Sequence, residues 1–342
     1  MTVFRTIGLI LGTAALLLSM SCLPTPPSES SGRPTITLYG FSIMKEVMEK
    51  EIFPKFQQKW QAEHGIKPEF VASFAGSETV TNQILQGTPA DVAILSIDRD
   101  AQRLMEGKAR TIDWHAWPQK GVINKTPFVI LVRKGNPLQI RDFPDLAKPG
   151  VKVIHPDPVS SGGAQWSLLA IYGSELKKSE AETGAPDPTR ALNTLKAVWA
   201  NVISTPGSAR EARTQFETGY GDALVTYELE GLAMRQAGAA VDMVIPRSTI
   251  YSEHPVVMID RNMPDAKRAI VQAFIQYLWS DEAQQAFVKH YFRSSTNESF
   301  NDGKPEFATI ELPFTVEMFG GWDKAYPDVI QNIFQQQVQN KR

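Results

Sequence analysis

The chain has 342 residues, enough for two domains of ordinary size, and its 42% hydrophobic and 21% charged residues are those of a globular protein. Its 35 basic and 37 acidic residues leave a formal charge of −2, without the basic excess by which nucleic-acid binders are recognised. The one cysteine, Cys22, excludes an intrachain disulfide and a four-cysteine zinc site.

In chain order, Arg5 precedes an apolar run over residues 7–20, too short to span a bilayer and of the length of a signal-peptide core. Ser21-Cys22 follows, then a Pro/Ser-rich stretch over 23–33 that cannot bury anything and reads as a tether. A lone cysteine after a small residue at the end of such a run resembles a bacterial lipoprotein signal. That resemblance implies cleavage after residue 21 and lipidation of Cys22; ordinary cleavage with an incidental cysteine is the alternative. No later stretch is long and apolar enough to cross a membrane.

Thr35–Tyr39 alternates and predicts a strand. Ser42 opens a helix to about Gln61, with Pro54 expected to kink or interrupt it. Strands at 70–73 and 92–95 flank a helix at 79–85, and this β-α-β-α-β order predicts a largely parallel sheet covered by helices. Strands at 126–133 and 151–154 lead to a helix at 164–172, a surface loop over 173–188, and helices at 189–199 and 209–218. A strand at 223–226, a helix at 228–236, strands at 241–245 and 256–260, and helices at 265–279 and 281–290 complete the pattern, with Ser280 as a cap. Two α/β units in series, the second returning to the first near 256–260, predict two lobes with a cleft between them: residues 34–125 plus 256–342, and residues 126–255.

Four strand-to-helix junctions carry the chemistry. The first, Pro156-Asp157-Pro158-Val159-Ser160-Ser161-Gly162-Gly163-Ala164-Gln165-Trp166, puts two glycines at a helix start. There the first N–H groups have no internal partner and the macrodipole favours an anion. Ser161 adds a hydroxyl; a Ser-capped helix after a glycine turn is the plain alternative. In Phe74-Ala75-Gly76-Ser77-Glu78-Thr79, Ser77 either caps the helix or donates to a ligand. Pro206-Gly207-Ser208-Ala209-Arg210 is a third junction of this kind, and at the fourth Tyr227 presents a hydroxyl at a strand end or packs in the core. Together they predict a site of helix N-termini and hydroxyls with no cation required, no metal and no cofactor.

At these residues the sequence resembles the periplasmic sulfate-binding protein family. The resemblance runs from about Thr35 to the C-terminus. It is carried by Ala90-Asp91-Val92, Leu131-Val132-Arg133-Lys134-Gly135-Asn136-Pro137, Lys148-Pro149-Gly150-Val151, the Ser160–Trp166 stretch and Phe319-Gly320-Gly321-Trp322. It implies an α/β, two-lobed type II periplasmic-binding-protein fold that closes on its ligand. It also implies an exported, lipid-anchored monomer that passes sulfate or a related oxyanion to the permease of an ABC importer. Carried over residue by residue, it implies backbone N–H donors at Ser42, Ser161, Gly162, Gly163 and Ala209 and a hydroxyl donor at Ser77. The family's tryptophan falls at Tyr227. An indole N–H only donates, whereas a phenol donates or accepts, so the substitution implies relaxed selectivity towards thiosulfate or hydrogen phosphate.

Enzymatic function finds no support in the spacing. His155, Asp157 and Ser160 or Ser161 invite a triad, but no Gly-x-Ser-x-Gly elbow is present and the five histidines lack zincin spacing. A lipid-tethered sensor ectodomain is the remaining rival class.

Overall fold

The computed structural model describes residues 33–339, so the expected signal peptide, the tether and Cys22 lie outside the described residues. Strand β1 (Thr35–Phe41) runs directly into a helical stretch α1 (residues 42–64), followed by β2 (Glu69–Ala75), α2 (Ser77–Leu85), β3 (Val92–Ile94) and α3 (Asp98–Glu106). β1 lies between β2 and β3, parallel to both, as the alternation predicts. Helix α3 falls outside the predicted set because its sequence is polar; only Asp100, Ala101 and Leu104 are buried on it. Pro54 does not interrupt α1. The turn before it, Met48–Ile52, widens to π-helical hydrogen bonding, which absorbs the missing proline N–H, and the helix continues to His64 under a left-handed Gly65 cap.

The second α/β unit comprises β4 (Val122–Arg133), β5 (Val153–Ile154), α4 (Gly162–Thr183), α5 (Pro188–Ala200), β6 (Val202–Ser204), α6 (Ala209–Glu217), β7 (Ala223–Tyr227) and α7 (Glu228–Gln236). Helix α4 extends eleven residues past the predicted end, through the stretch read as a surface loop. Two of its charges there are buried and paired, Lys178 with Glu175 (2.5 Å) and Asp142 (2.8 Å), and Glu175 also with Arg190 of α5 (2.8 Å). Polarity therefore did not mean exposure. β8 (Val241–Val244) and β9 (Ser248–Met258) follow, then α8 (Asp265–Tyr277), α9 (Asp281–Lys289), β10 (Arg293–Ser294) and β11 (Leu312–Phe314). Ser280 caps α9 as expected, accepting from the Ala283 N–H.

The main sheet path is β2-β1-β3-β9-β4-β7-β5-β6. It has two parallel halves, β1–β3 and β5–β7, and between them lie two long strands. β9 pairs with β3 through Val256–Met258 and with β4 from Tyr251 to Pro255; β4 pairs with β9 up to Pro127 and with β7 from Phe128 onwards. Only the outer parts of these crossing strands match the predicted strands. Their inner parts carry Asn124, Ser252 and His254, which interrupt the apolar pattern yet are all fully buried. His254 Nδ1 meets Asn124 Oδ1 at 2.6 Å and Ser252 Oγ donates to the Thr126 carbonyl at 2.8 Å.

After β9, α8 packs on the first half through Phe274 against Phe53, Phe56 and Phe70, and the last stretch, from β11 on, rests mainly on the second. Phe314 and Phe319 fill the notch left by Gly173 on α4, and Phe334 packs edge-on against Trp199 at 4.5 Å. It touches the first half where Arg99 lies 3.5 Å over the Tyr326 ring.

Burial pushes His254 from an ordinary value of 6.5 down to about 3, so the folded protein keeps it neutral. The unfolded chain takes up a proton there below about pH 6.5, so the stability His254 contributes is present above that pH and lost as pH falls. His254→Gln, which cannot protonate, is expected to cost less at pH 5 than at pH 7.5, by about 2 kcal/mol in urea denaturation. An equal cost at both would show that the ring is not held neutral.

Candidate functional site

Each parallel half delivers its helix N-termini at one edge of the sheet, where orphan N–H groups gather. At the start of α4, Ser161 is the N-cap, its hydroxyl accepting from the Ala164 N–H at 3.3 Å. Its own N–H differs from expectation: it is spent on the Asp157 carbonyl at 2.9 Å, so what Ser161 retains to give is its hydroxyl proton. Gly162 and Gly163 open the helix, and their N–H groups make no hydrogen bond among the described residues. Ala209 likewise opens α6, behind Ser208 as its cap. Ser42 is the first residue of α1 and is buried, but its side chain caps nothing.

The junctions meet. A Cβ built on Gly76 would stand 2.3 Å from the Ser160 carbonyl oxygen and 2.8 Å from that of Gly207, so three of the four are in backbone contact at this one glycine. A Cβ on Gly162 would lie 2.8 Å from Ser96 Cβ and 3.2 Å from Ser77 Cβ, and one on Gly163 would lie 2.8 Å from the Tyr227 hydroxyl oxygen. The two glycines of α4 are thus set against Ser77, Ser96 and Tyr227. Ser160 Oγ adds a bond to the Gly207 carbonyl at 2.8 Å.

Ser96 is not among the residues that the sequence singles out, yet it meets Ser77, Gly162, Trp166 and Tyr227. It follows the buried strand β3 and precedes α3, a fifth junction of the same kind, and that position is the signal that could have found it. Its N–H donates to Ser77 Oγ (3.0 Å), its carbonyl accepts from Trp166 Nε1 (2.7 Å), and its hydroxyl shares a 2.9 Å hydrogen bond with the Tyr227 hydroxyl. Ser77 does not cap α2; its hydroxyl donates to Asp100 Oδ2 at 2.6 Å. Tyr227 is buried among Phe41, Phe128 and His254, and that burial holds its hydroxyl well above the ordinary tyrosine value, hence neutral.

Charged side chains ring the site but answer one another. Arg210, beside Ala209, is gripped by Glu46 of α1 and by Glu230 (2.9 Å), and Arg213 holds the other Glu230 oxygen at 2.8 Å. Arg99 and Arg103 bind Glu78, whose Oε1 also accepts from Gln165 Nε2 at 3.0 Å. Fully buried Asp100 is pushed up to about 7 by that burial and by the nearby Glu78. What the junctions turn inward is therefore neutral: N–H groups and hydroxyls. No group of three or more His, Cys, Asp or Glu side chains among the described residues is placed to hold a metal. The His155 ring bonds the Pro156 carbonyl (2.7 Å) and Ser167 (2.5 Å), not Ser160 or Ser161, so no Ser-His-Asp triad forms at this junction. Among the described residues no helix is long and apolar enough to cross a membrane.

Residues 36–293 match the family described as bacterial extracellular solute-binding protein. The chain is 32% identical over 324 residues to the sulfate-binding protein of Synechococcus elongatus, covering 93% of this chain and 91% of that one. It is 33% identical over 291 residues to the thiosulfate-binding protein of Escherichia coli, 82% of each. In three dimensions it superposes on the sulfate-binding protein SubI from Mycobacterium tuberculosis with a TM-score of 0.77 at 29% identity, covering 86% of this chain and 99% of that one. The two halves joined by β4 and β9 are the lobes of a type II periplasmic-binding fold, and the chain belongs to the bacterial extracellular solute-binding protein family, together with the sulfate-binding proteins it resembles.

Proposed function

We propose that this protein captures a small tetrahedral oxyanion, sulfate foremost, outside the cytoplasm and hands it to the permease of an ABC importer. The observation that carries the reading is the convergence of the unpaired Gly162 and Gly163 N–H groups with the hydroxyls of Ser77, Ser96 and Tyr227, in a place where every nearby cation already has its carboxylate. The relatives named for sulfate and for thiosulfate support the same ligand class. The proposed donors are the N–H groups of Ser42, Gly162, Gly163 and Ala209 with the hydroxyls of Ser161 and Tyr227, and that of Ser77 once its proton turns from Asp100 to the ligand. Each charge-assisted hydrogen bond to such an anion is worth roughly 1.5–3 kcal/mol.

The donors come from both lobes, proposed to divide near residues 125/126 and 255/256; β9 changes partners at 255/256 and β4 slightly further on, between Pro127 and Phe128. Ligand therefore favours the closed arrangement, and the permease reads and reopens it. The protein is proposed to be a monomer held to the membrane by a lipid on Cys22.

Titration calorimetry of residues 33–342 with sulfate, thiosulfate and phosphate, in a buffer free of other oxyanions, is expected to show saturable one-to-one binding of sulfate; no heat from any of the three would overturn the reading. Closure has its own test. Gly76 has an ordinary φ of −61°, so alanine there is opposed only by the Ser160 and Gly207 carbonyls it would strike. Gly76→Ala is expected to weaken sulfate by about five- to 150-fold, as overpacking of roughly 1–3 kcal/mol implies. Its X-ray scattering radius should stay at the open value when sulfate is added; wild-type-like shrinkage would refute closure at this contact. Cys22→Ala is expected to move the protein from the membrane to the soluble fraction of the exporting cell, and unchanged fractionation would refute the anchor.

A further inference from the structure

The Ser96 and Tyr227 hydroxyls form a closed account of protons. Both side chains are buried, at 0% and 1% exposure, so water does not supply either. Together they bring two hydroxyl protons, and the 2.9 Å bond between them uses one, with either oxygen able to be its donor. The second proton has no acceptor among the described residues, and it belongs to whichever hydroxyl is not donating to the other. Both oxygens lie against the two glycines that open α4: a Cβ on Gly162 would stand 2.9 Å from Ser96 Oγ, and one on Gly163 would stand 2.8 Å from the Tyr227 hydroxyl oxygen.

We propose that Ser96 and Tyr227 act as a reversible donor–acceptor pair that sets ligand specificity, admitting a tetrahedral oxyanion that carries a hydrogen, such as monohydrogen phosphate, alongside fully deprotonated sulfate. This rests on the oxyanion reading above. Against sulfate, which offers only acceptors, Ser96 donates to Tyr227 and Tyr227 donates to the anion. Against an anion with an O–H, the internal bond reverses. Tyr227 then donates to Ser96, Ser96 donates its own proton to an anion oxygen, and the Tyr227 oxygen accepts the anion's proton. No covalent bond changes, and every hydroxyl stays satisfied in both arrangements. A single hydroxyl could not do this, since its one proton would face the ligand's proton with nowhere else to go, and an indole N–H could only donate. Polar groups left unpaired in such a site penalise the wrong ligand heavily. Tyr227 remains protonated throughout, because burial raises its pKa.

The test is calorimetry at pH 8 with sulfate and with inorganic phosphate, on wild type, Ser96→Ala, Tyr227→Phe and the double variant. Wild type is expected to bind both anions. Each single variant is expected to weaken phosphate at least about tenfold more than it weakens sulfate, and the double variant to shift that ratio no further than either single one. A wild type that binds sulfate but not phosphate would overturn the pair's role and leave the oxyanion reading standing. So would single variants that weaken both anions equally, or ratio shifts that add in the double variant. Binding of neither anion by wild type would instead sink the oxyanion reading itself, and the pair with it.

Discussion

The distance of closest approach between backbone segments governs this molecule. Three helix N-termini can meet only if little but backbone stands between them, and each contact point is a glycine. At Gly76 the neighbours are carbonyl oxygens, which cannot swing aside as a side chain could. At Gly162 and Gly163 the neighbours are Ser96 and Tyr227. Removing Cβ at these places exposes N–H groups that a helix cannot satisfy internally, and the convergence of several dipoles gives them a common direction. The rest of the fold serves to bring the segments to this separation.

That separation depends on ties between the lobes, and these are side-chain bonds made just outside the junctions. Gln165 reaches Glu78, Trp166 reaches the Ser96 carbonyl, Tyr227 meets Ser96, and Arg210 meets Glu46. Each joins residues below 126 to residues between 126 and 255, while covalent continuity between the halves passes through the paired strands β4 and β9. The two-strand connection carries buried polar pairs at its centre, Asn124 with His254 and Ser252 with Thr126, whose geometry fixes the register where an all-apolar ladder would tolerate slippage. His254 also packs at a tilt against Phe41, ring centroids 4.7 Å apart, and edge-on against Tyr227, so the connection and the site share a wall.

The α/β alternation and the two serial units were legible because each strand of the parallel halves is a short apolar run with small residues after it. Legibility failed where buried polar groups were fully partnered. The inner parts of β4 and β9 fall outside the predicted strands because Asn124, Ser252 and His254 interrupt the apolar pattern, and the second half of α4 reads as loop because of Lys178, Glu175 and their partners. In the site, glycine pairs and capping serines announce helix starts, so Gly162, Gly163, Ser161 and Ala209 could be named from the chain. What a junction does with its hydrogen bonds could not. That the Ser161 N–H turns back to Asp157, and that the Ser77 proton turns to Asp100, depends on residues brought in by folding. Ser96 has no glycine beside it and no pattern of its own; it acquires its role only because Trp166, Ser77 and Tyr227 arrive on three sides.

The neutrality of the inward-facing groups follows from the same arrangement. An anion clamped by free arginines would be held by charge, which acts over distance and distinguishes poorly between anions of like size and valence. Here the arginines are spent: Arg210 and Arg213 on Glu230, Arg99 and Arg103 on Glu78. Under the proposed oxyanion reading, short-range hydrogen bonds remain, and their direction would report where the ligand's protons lie. The C-terminal segment extends this control from outside. Trp322 packs edge-on against Trp166 at 4.7 Å, and Trp166 holds the Ser96 carbonyl, so the Phe319-Gly320-Gly321-Trp322 turn helps set the position of the one serine on which Ser77, Tyr227 and Gly162 all bear.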